Sequence, residues 1–217
     1  MEAYIGTAVT LVAVFLAIVL HEVAHGYAAC VLGDDTAKRA GRLTLNPLKH
    51  IDPFGTIVLP LVLAWLGTGF LFGWAKPVPV NFYRLRKFPR DMLIVSGAGI
   101  AANFALALAA AVLFSIFPGL TATLKLFLLY FCISNLVLAF FNLLPIPPLD
   151  GSKLFFGWIR RPWAGRYVAA ERYGMAALII LIVAVPTVCA AFGLPVVDPL
   201  GWYLAHAMTW FLDIIGV

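Results

Sequence analysis

Apolar residues in this chain gather in long, nearly unbroken runs instead of recurring at a helical or strand period. Residues 4–32 form one such run, which includes TAVTLVAVFLAIVL, and 92–117 and 122–145 form two more. A helix rises about 1.5 Å per residue, so about 20 apolar residues cross the hydrocarbon of a bilayer. Each of these runs predicts a transmembrane helix. Residues 174–192 and 199–216 are shorter runs of the same kind. Residues 56–72 differ, because Pro60 sits near the start and Gly67 and Gly69 loosen the end. The polar connections are all too short to fold as a soluble module. The pattern reads as an all-α polytopic membrane protein with five to six transmembrane helices. It forms one membrane-embedded domain over residues 1–217, with a core at about 4–155 and C-terminal helices at about 174–216.

Composition agrees and narrows the class. The chain is 63% hydrophobic and only 12% charged. An ordinary soluble globule must cover its surface with polar groups, and a disordered chain needs low hydrophobicity, so both are excluded. Cys30, Cys132 and Cys189 form no CxxC pair and read as small buried hydrophobes. The N-terminal run lacks the positive flank of a signal peptide and carries Glu2 instead.

The net charge of +5 acquires meaning from its placement. Basic residues cluster in 33–55 (Lys38, Arg39, Arg42, Lys49), in 73–91 (Lys76, Arg84, Arg86, Lys87, Arg90) and in 152–173 (Lys153, Arg160, Arg161, Arg166, Arg172). Of the 15 Lys and Arg residues only Lys125 lies elsewhere. The positive-inside rule puts all three stretches in the cytoplasm, a reading preferred over nucleic-acid binding. If 56–72 crossed the membrane, its two basic flanks would lie on opposite sides. It is therefore expected to enter and leave on the cytoplasmic side and to wall a cavity, since irregular backbone at membrane depth needs such cover. A true sixth span is the competing reading. With re-entry, the N-terminus is outside and 4–32 runs inward.

Ionisable groups at membrane depth are costly, and they mark function. The first run contains AIVLHEVAHGYAACVLGDD, with His21, Glu22 and His25 in the pattern H-E-x-x-H. On a helix His21 and His25 stand about 40° apart, so both imidazoles reach one tetrahedral metal. Glu22 lies about 100° round from His21, placed to address a water without being a ligand. A third ligand is needed. Cys30 points away from both histidines, His50 follows a basic loop where a solvated or interfacial role is expected, and His206 lies in the last apolar run. Asp34, Asp35 and Asp52 are expected to cap or to pair with nearby basic groups. Asp150 ends the 122–145 run in NLLPIPPLDG, at the depth of the two histidines. It suits either the metal or the N-cap of a helix starting near Ser152. Pro145, Pro147 and Pro148 stop the helix and are expected to leave an extended break beside a cavity.

Together HEVAHGYAACVLGD (21–34), GRLTLNPLKHIDPFG (41–55), FGWAKPVPVN (72–81) and NLLPIPPLDG (142–151) resemble the site-2 protease family of intramembrane zinc metalloproteases. The resemblance covers about 10–155. It implies one Zn2+ per chain, held by His21, His25 and Asp150, with Glu22 as general base. It also implies that Asn142 assists substrate binding or the oxyanion. Where the family has Gly-Pro-x-x-Asn, this chain reads Gly99-Ile100-Ala101-Ala102-Asn103, with Ile100 in place of proline. The family has a re-entrant, sheet-like loop after its first core helix, and 41–46 is expected either to offer a strand edge to substrate or to pack as an amphipathic strand. The implied partner is a membrane-anchored protein in a bacterial or archaeal cell membrane, cut at a site facing the cytoplasm. The alternatives are an inactive relative acting as a scaffold and a membrane transporter.

Overall fold

A computed structural model describes residues 2–65, 73–156, 173–174, 176–178, 180–193 and 198–215. Three helices carry the fold: α1 (Glu2–Val31), α4 (Arg90–Ile116) and α5 (Ala122–Leu143). Each is long and apolar enough to cross a membrane. Between α1 and α4 lie α2 (Thr36–Arg39) and the short apolar α3 (Leu59–Trp65). A wider helical turn, Pro53–Val58, leads into α3. After α5 come α6 (Asp150–Phe156), α7 (Val185–Ala191) and α8 (Pro199–Ile215). The expected span at 174–192 lies partly outside the described residues, and so do most of the basic residues of 152–173.

The three long helices pack against one another through small residues. Ala13, Ala17, Ala107, Ala110 and Ala111 are buried at their contact, with Leu128, Phe131, Leu136 and Phe140 filling the space beside them. Lipid tails are as apolar as leucine, so close approach of small residues, not exclusion of water, drives such packing. The outer surface is correspondingly apolar, with Leu11, Val12, Val112, Ile116 and Leu129 exposed. At one edge α8 stacks Phe211 on Phe104, with ring centroids 5.4 Å apart, and Tyr203 donates to the carbonyl of Phe140 at 3.2 Å.

The connection from α1 to α4 positions the site. The Trp74 N–H donates to the carbonyl of Gly55 at 3.1 Å, and the Lys76 N–H to that of His50 at 2.8 Å. The Thr56 hydroxyl donates to the Trp74 carbonyl at 2.8 Å. The chain that leaves at Pro53 thus returns to where it left, while residues 66–72 of this excursion lie outside the described residues. The approach is so close that a Cβ on Gly55 would stand 2.3 Å from the Trp74 indole. From Gly73 to Asn81 the chain is extended and unpaired with any strand.

The strand expected at 41–46 is not formed, and among the described residues there is none. Local polar groups compete for its backbone. The Thr44 hydroxyl accepts from the Asn46 N–H at 3.1 Å, the Asn46 side chain accepts from the Leu48 N–H at 3.1 Å, and the His50 Nε2 donates to the Thr44 carbonyl at 2.9 Å. The stretch folds back on itself and offers no ladder edge.

Candidate metal centre

His21 and His25 lie one turn apart on the buried face of α1, at 5% and 8% exposure. Asp150 opens α6 opposite them. The prolines end α5 at Leu143, and the chain turns through a cis Pro147–Pro148 bond to bring the carboxylate back. Asp150 Oδ2 stands 3.2 Å from His21 Nε2 and 2.9 Å from His25 Nε2, and the two Nε2 atoms are 3.0 Å apart. Asp150 thus stands at the start of a helix with its carboxylate aimed at both imidazoles. Among the described residues these three form the one group with the makings of a metal site.

The donor set fits zinc. His25 Nδ1 meets the Val95 carbonyl at 2.7 Å, and a carbonyl only accepts, so Nδ1 carries a proton and Nε2 is the nitrogen turned to the cluster. His21 Nδ1 meets Asn103 Oδ1 at 2.5 Å. Two imidazole Nε2 atoms and a carboxylate oxygen therefore converge, a cluster that a shared proton or a bound cation would hold together. Tetrahedral ligands about 2.0–2.1 Å from zinc stand about 3.3 Å from one another, close to the separations seen here. The outward bonds from each Nδ1 are the second-layer support that metal-binding histidines require. Lys153, on α6, donates to the Pro148 carbonyl at 3.2 Å and lies 3.9 Å from Asp150 Oδ1, the oxygen turned away from the histidines.

Space for the imidazoles comes from α4. A Cβ on Gly99 would lie 2.3 Å from His25 Nε2 and 2.6 Å from His21 Cε1. Asn103, four residues on, reaches His21 from the same helix. Sequence reasoning noted Gly99 and Asn103 without finding this work, because it consists of contacts with a helix some 80 residues distant.

Glu22 lines a cavity of about 580 Å3 beside the two histidines. The cavity is walled by α1, α4, α5, α6 and the extended stretch 73–80, and His21, His25, Asp150 and Asn142 also line it. Glu22 Oε2 accepts from the Val78 N–H at 2.6 Å, which fixes the carboxylate in the wall. The Asn142 side chain donates to the Leu138 carbonyl at 3.0 Å.

The other candidates fall elsewhere. His50 is fully buried, which excludes the solvated half of the solvated or interfacial role expected, and it braces the 44–50 turn. His206 is exposed and donates to its own helix at Trp202. Asp52 caps the turn at Phe54 and Gly55, and Asp35 pairs with Arg39 and Arg84. Asp34 accepts from both the N–H and the hydroxyl of Thr36, and from the Asn81 N–H at 2.6 Å. Burial opposes ionisation of Asp34, but these bonds and the charge of Arg84 hold its carboxyl below the usual carboxylate range.

The sequence is similar to a known family and to known proteins. The model of Peptidase family M50 matches residues 119–185. YwhC of Bacillus subtilis, named as a candidate zinc metalloprotease, is 40% identical over 172 residues, covering 76% of this chain and 75% of that protein. Rip2 of Mycolicibacterium smegmatis, named in the same way, is 30% identical over 228 residues, covering 99% of this chain and 77% of that protein. Rip2 of Mycobacterium tuberculosis is 30% identical over 220 residues with the same coverage. No solved structure matches the chain.

Proposed function

The chain belongs to peptidase family M50, the site-2 protease family of zinc metalloproteases, and from that premise we propose that it hydrolyses peptide bonds within or near the membrane segments of membrane-anchored proteins. The observation that carries this reading is the convergence of His21, His25 and Asp150 beside Glu22 in one cavity, on a helix built to lie in a bilayer. His21, His25 and Asp150 would hold the metal. Zinc, when bound, supplies Lewis acidity, polarising a scissile carbonyl and lowering the pKa of a water.

The rest is done by side chains. Glu22, held by the Val78 N–H in a mostly apolar cavity, takes a proton from the attacking water and passes it to the leaving nitrogen. Asn142 spends one amide hydrogen on Leu138 and offers the other to the oxygen that gains charge. The cavity admits water that lipid would exclude. A substrate helix unwinds to present its peptide bonds there. The basic flanks 33–55 and 73–91 set the opening toward the cytoplasm of a bacterial or archaeal cell, and the return of Trp74 and Lys76 to Gly55 and His50 supports re-entry of the segment between them. The substrate class this implies is a single-span protein, such as a membrane-held regulator.

The test is Glu22→Gln, reconstituted in liposomes with a membrane-anchored substrate. Cleavage is expected to fall by roughly 10²-fold or more with zinc content unchanged. Unchanged cleavage would remove Glu22 as the base, and loss of zinc would make it a ligand.

A further inference from the structure

The polar contacts behind His21 continue through two buried amides into α5. Asn103 Nδ2 donates to Asn135 Oδ1 at 2.8 Å, and Asn135 Nδ2 donates to the Phe131 carbonyl at 2.7 Å. Both asparagines are fully buried. Neither the H-E-x-x-H pattern nor the Asp-Gly motif includes Asn135, which lies inside an apolar run where an amide is costly without a partner.

An amide side chain can be turned either way, so its direction must come from its neighbours. Here the neighbour at the far end settles it. The Phe131 carbonyl can only accept, so the NH2 of Asn135 must face it and the oxygen of Asn135 must face Asn103. Asn103 then presents its own NH2 to Asn135 and its oxygen to His21. An amide oxygen only accepts, so the proton of His21 sits on Nδ1. Nε2 is the nitrogen turned toward His25 and Asp150, and so the one open to a cation.

From this chain we infer that Asn135 is a positioning residue for the metal site: one backbone carbonyl on α5 dictates, through Asn135 and Asn103, which nitrogen of His21 is free to bind a cation. The relay joins α1, α4 and α5 through buried hydrogen bonds. His25 is fixed separately, by Val95, so each imidazole has its own support. The inference rests on the zinc reading of the site, while the protonation of His21 that it asserts does not.

Two measurements test it. Zinc affinity is read by chelator competition on the purified full chain and on Asn135→Leu, Asn103→Leu and the double variant, with His21→Ala as reference. Removal of such outer contacts costs about 10–100-fold in metal affinity. Asn135→Leu is expected to lose affinity in that range, and it should add less than about 2-fold when Asn103 is already leucine, since its path to His21 is then cut. A loss that multiplies in the double variant would mean separate packing effects and would overturn the relay, as would an unchanged affinity in Asn135→Leu. Should Asn135→Leu not fold, Asn135→Ala enters the same cycle. The second measurement is ¹⁵N spectroscopy of histidine-labelled, zinc-free protein, with the His21 signal assigned by its loss in His21→Ala. A proton on His21 Nδ1 that is lost or shared in Asn135→Leu supports the relay, and a His21 Nδ1 without a proton in the unaltered chain overturns it. A chain that shows the Nδ1 proton yet binds no zinc would remove the zinc reading and leave the relay standing.

Discussion

A methyl group at position 99 has nowhere to go. It would meet His25 Nε2 at 2.3 Å, and neither imidazole can retreat while Val95 and Asn103 hold the far nitrogens. Gly99→Ala must therefore push α4 from α1 or tilt the ligands. Its zinc affinity is expected to fall by about 10-fold or more with helix content retained, read by chelator competition and circular dichroism. Unchanged affinity would mean that the helices part at no cost to the ligands. The histidines and Glu22 were legible in the sequence because a single helix sets their spacing. Asp150 was legible by its depth and its place after the prolines, and the folded chain brings its carboxylate to both histidines. The work of Gly99, Asn103 and Asn135 was not legible, since each acts on a partner in a different helix. An isolated Asn in an apolar run was the available signal for Asn135.

The extended stretch 73–81 is held by a few polar contacts and by no ladder. One end is tied at Trp74 and Lys76, Arg42 Nη2 donates to the Lys76 carbonyl at 2.8 Å, and Asp34 accepts from the Asn81 N–H at 2.6 Å. Between these ties the Val78 N–H reaches Glu22. Asp34 thus sets the position of the wall that carries a donor to the Glu22 carboxylate. Because its carboxyl is held below the usual range, Asp34 stabilises the fold fully above the ordinary carboxylate pKa of about 4, and that stability fades as pH falls through the lowered folded value. Asp34→Asn is expected to unfold at lower temperature than the unaltered chain near neutral pH, by an amount equal to about 1–2 kcal/mol. The gap should close in acid below about pH 4. Thermal unfolding in detergent from neutral to acid pH checks this, and a gap constant across that range would remove the ionised carboxylate as its cause. The sequence marked Asp34 as a cap, which it is at Thr36. Its second oxygen, on Asn81, depended on how the chain returned.

At the scale of the molecule the question is on which side of the bilayer the basic stretches lie. Charge placement puts 33–55 and 73–91 together, and the bonds from Trp74 and Lys76 back to Gly55 and His50 bring the two stretches side by side. Single cysteines introduced across 73–91 in a chain without Cys30, Cys132 and Cys189 are expected to react with an impermeant thiol reagent only from the cytoplasmic side. Labelling from outside would make 56–72 a true span and reverse one basic loop. Removal of zinc by a chelator is expected to abolish cleavage, and added zinc to restore it, in the same vesicles.

The sequence by itself determined the apolar class, the three long helices and the pairing of His21 with His25 on one of them. Long apolar runs admit few structures in lipid, and an i, i+4 pair needs only its own helix to converge. What it left open was settled by contacts between distant segments. The 41–46 stretch alternates like a strand, but a ladder needs an edge to pair with, and its own polar groups took the backbone first. The partners of His21, His25 and Glu22 lie on α4 and in the 73–81 stretch, and hydrogen-bond direction is fixed by whichever group meets the donor. That information exists only once the helices are packed.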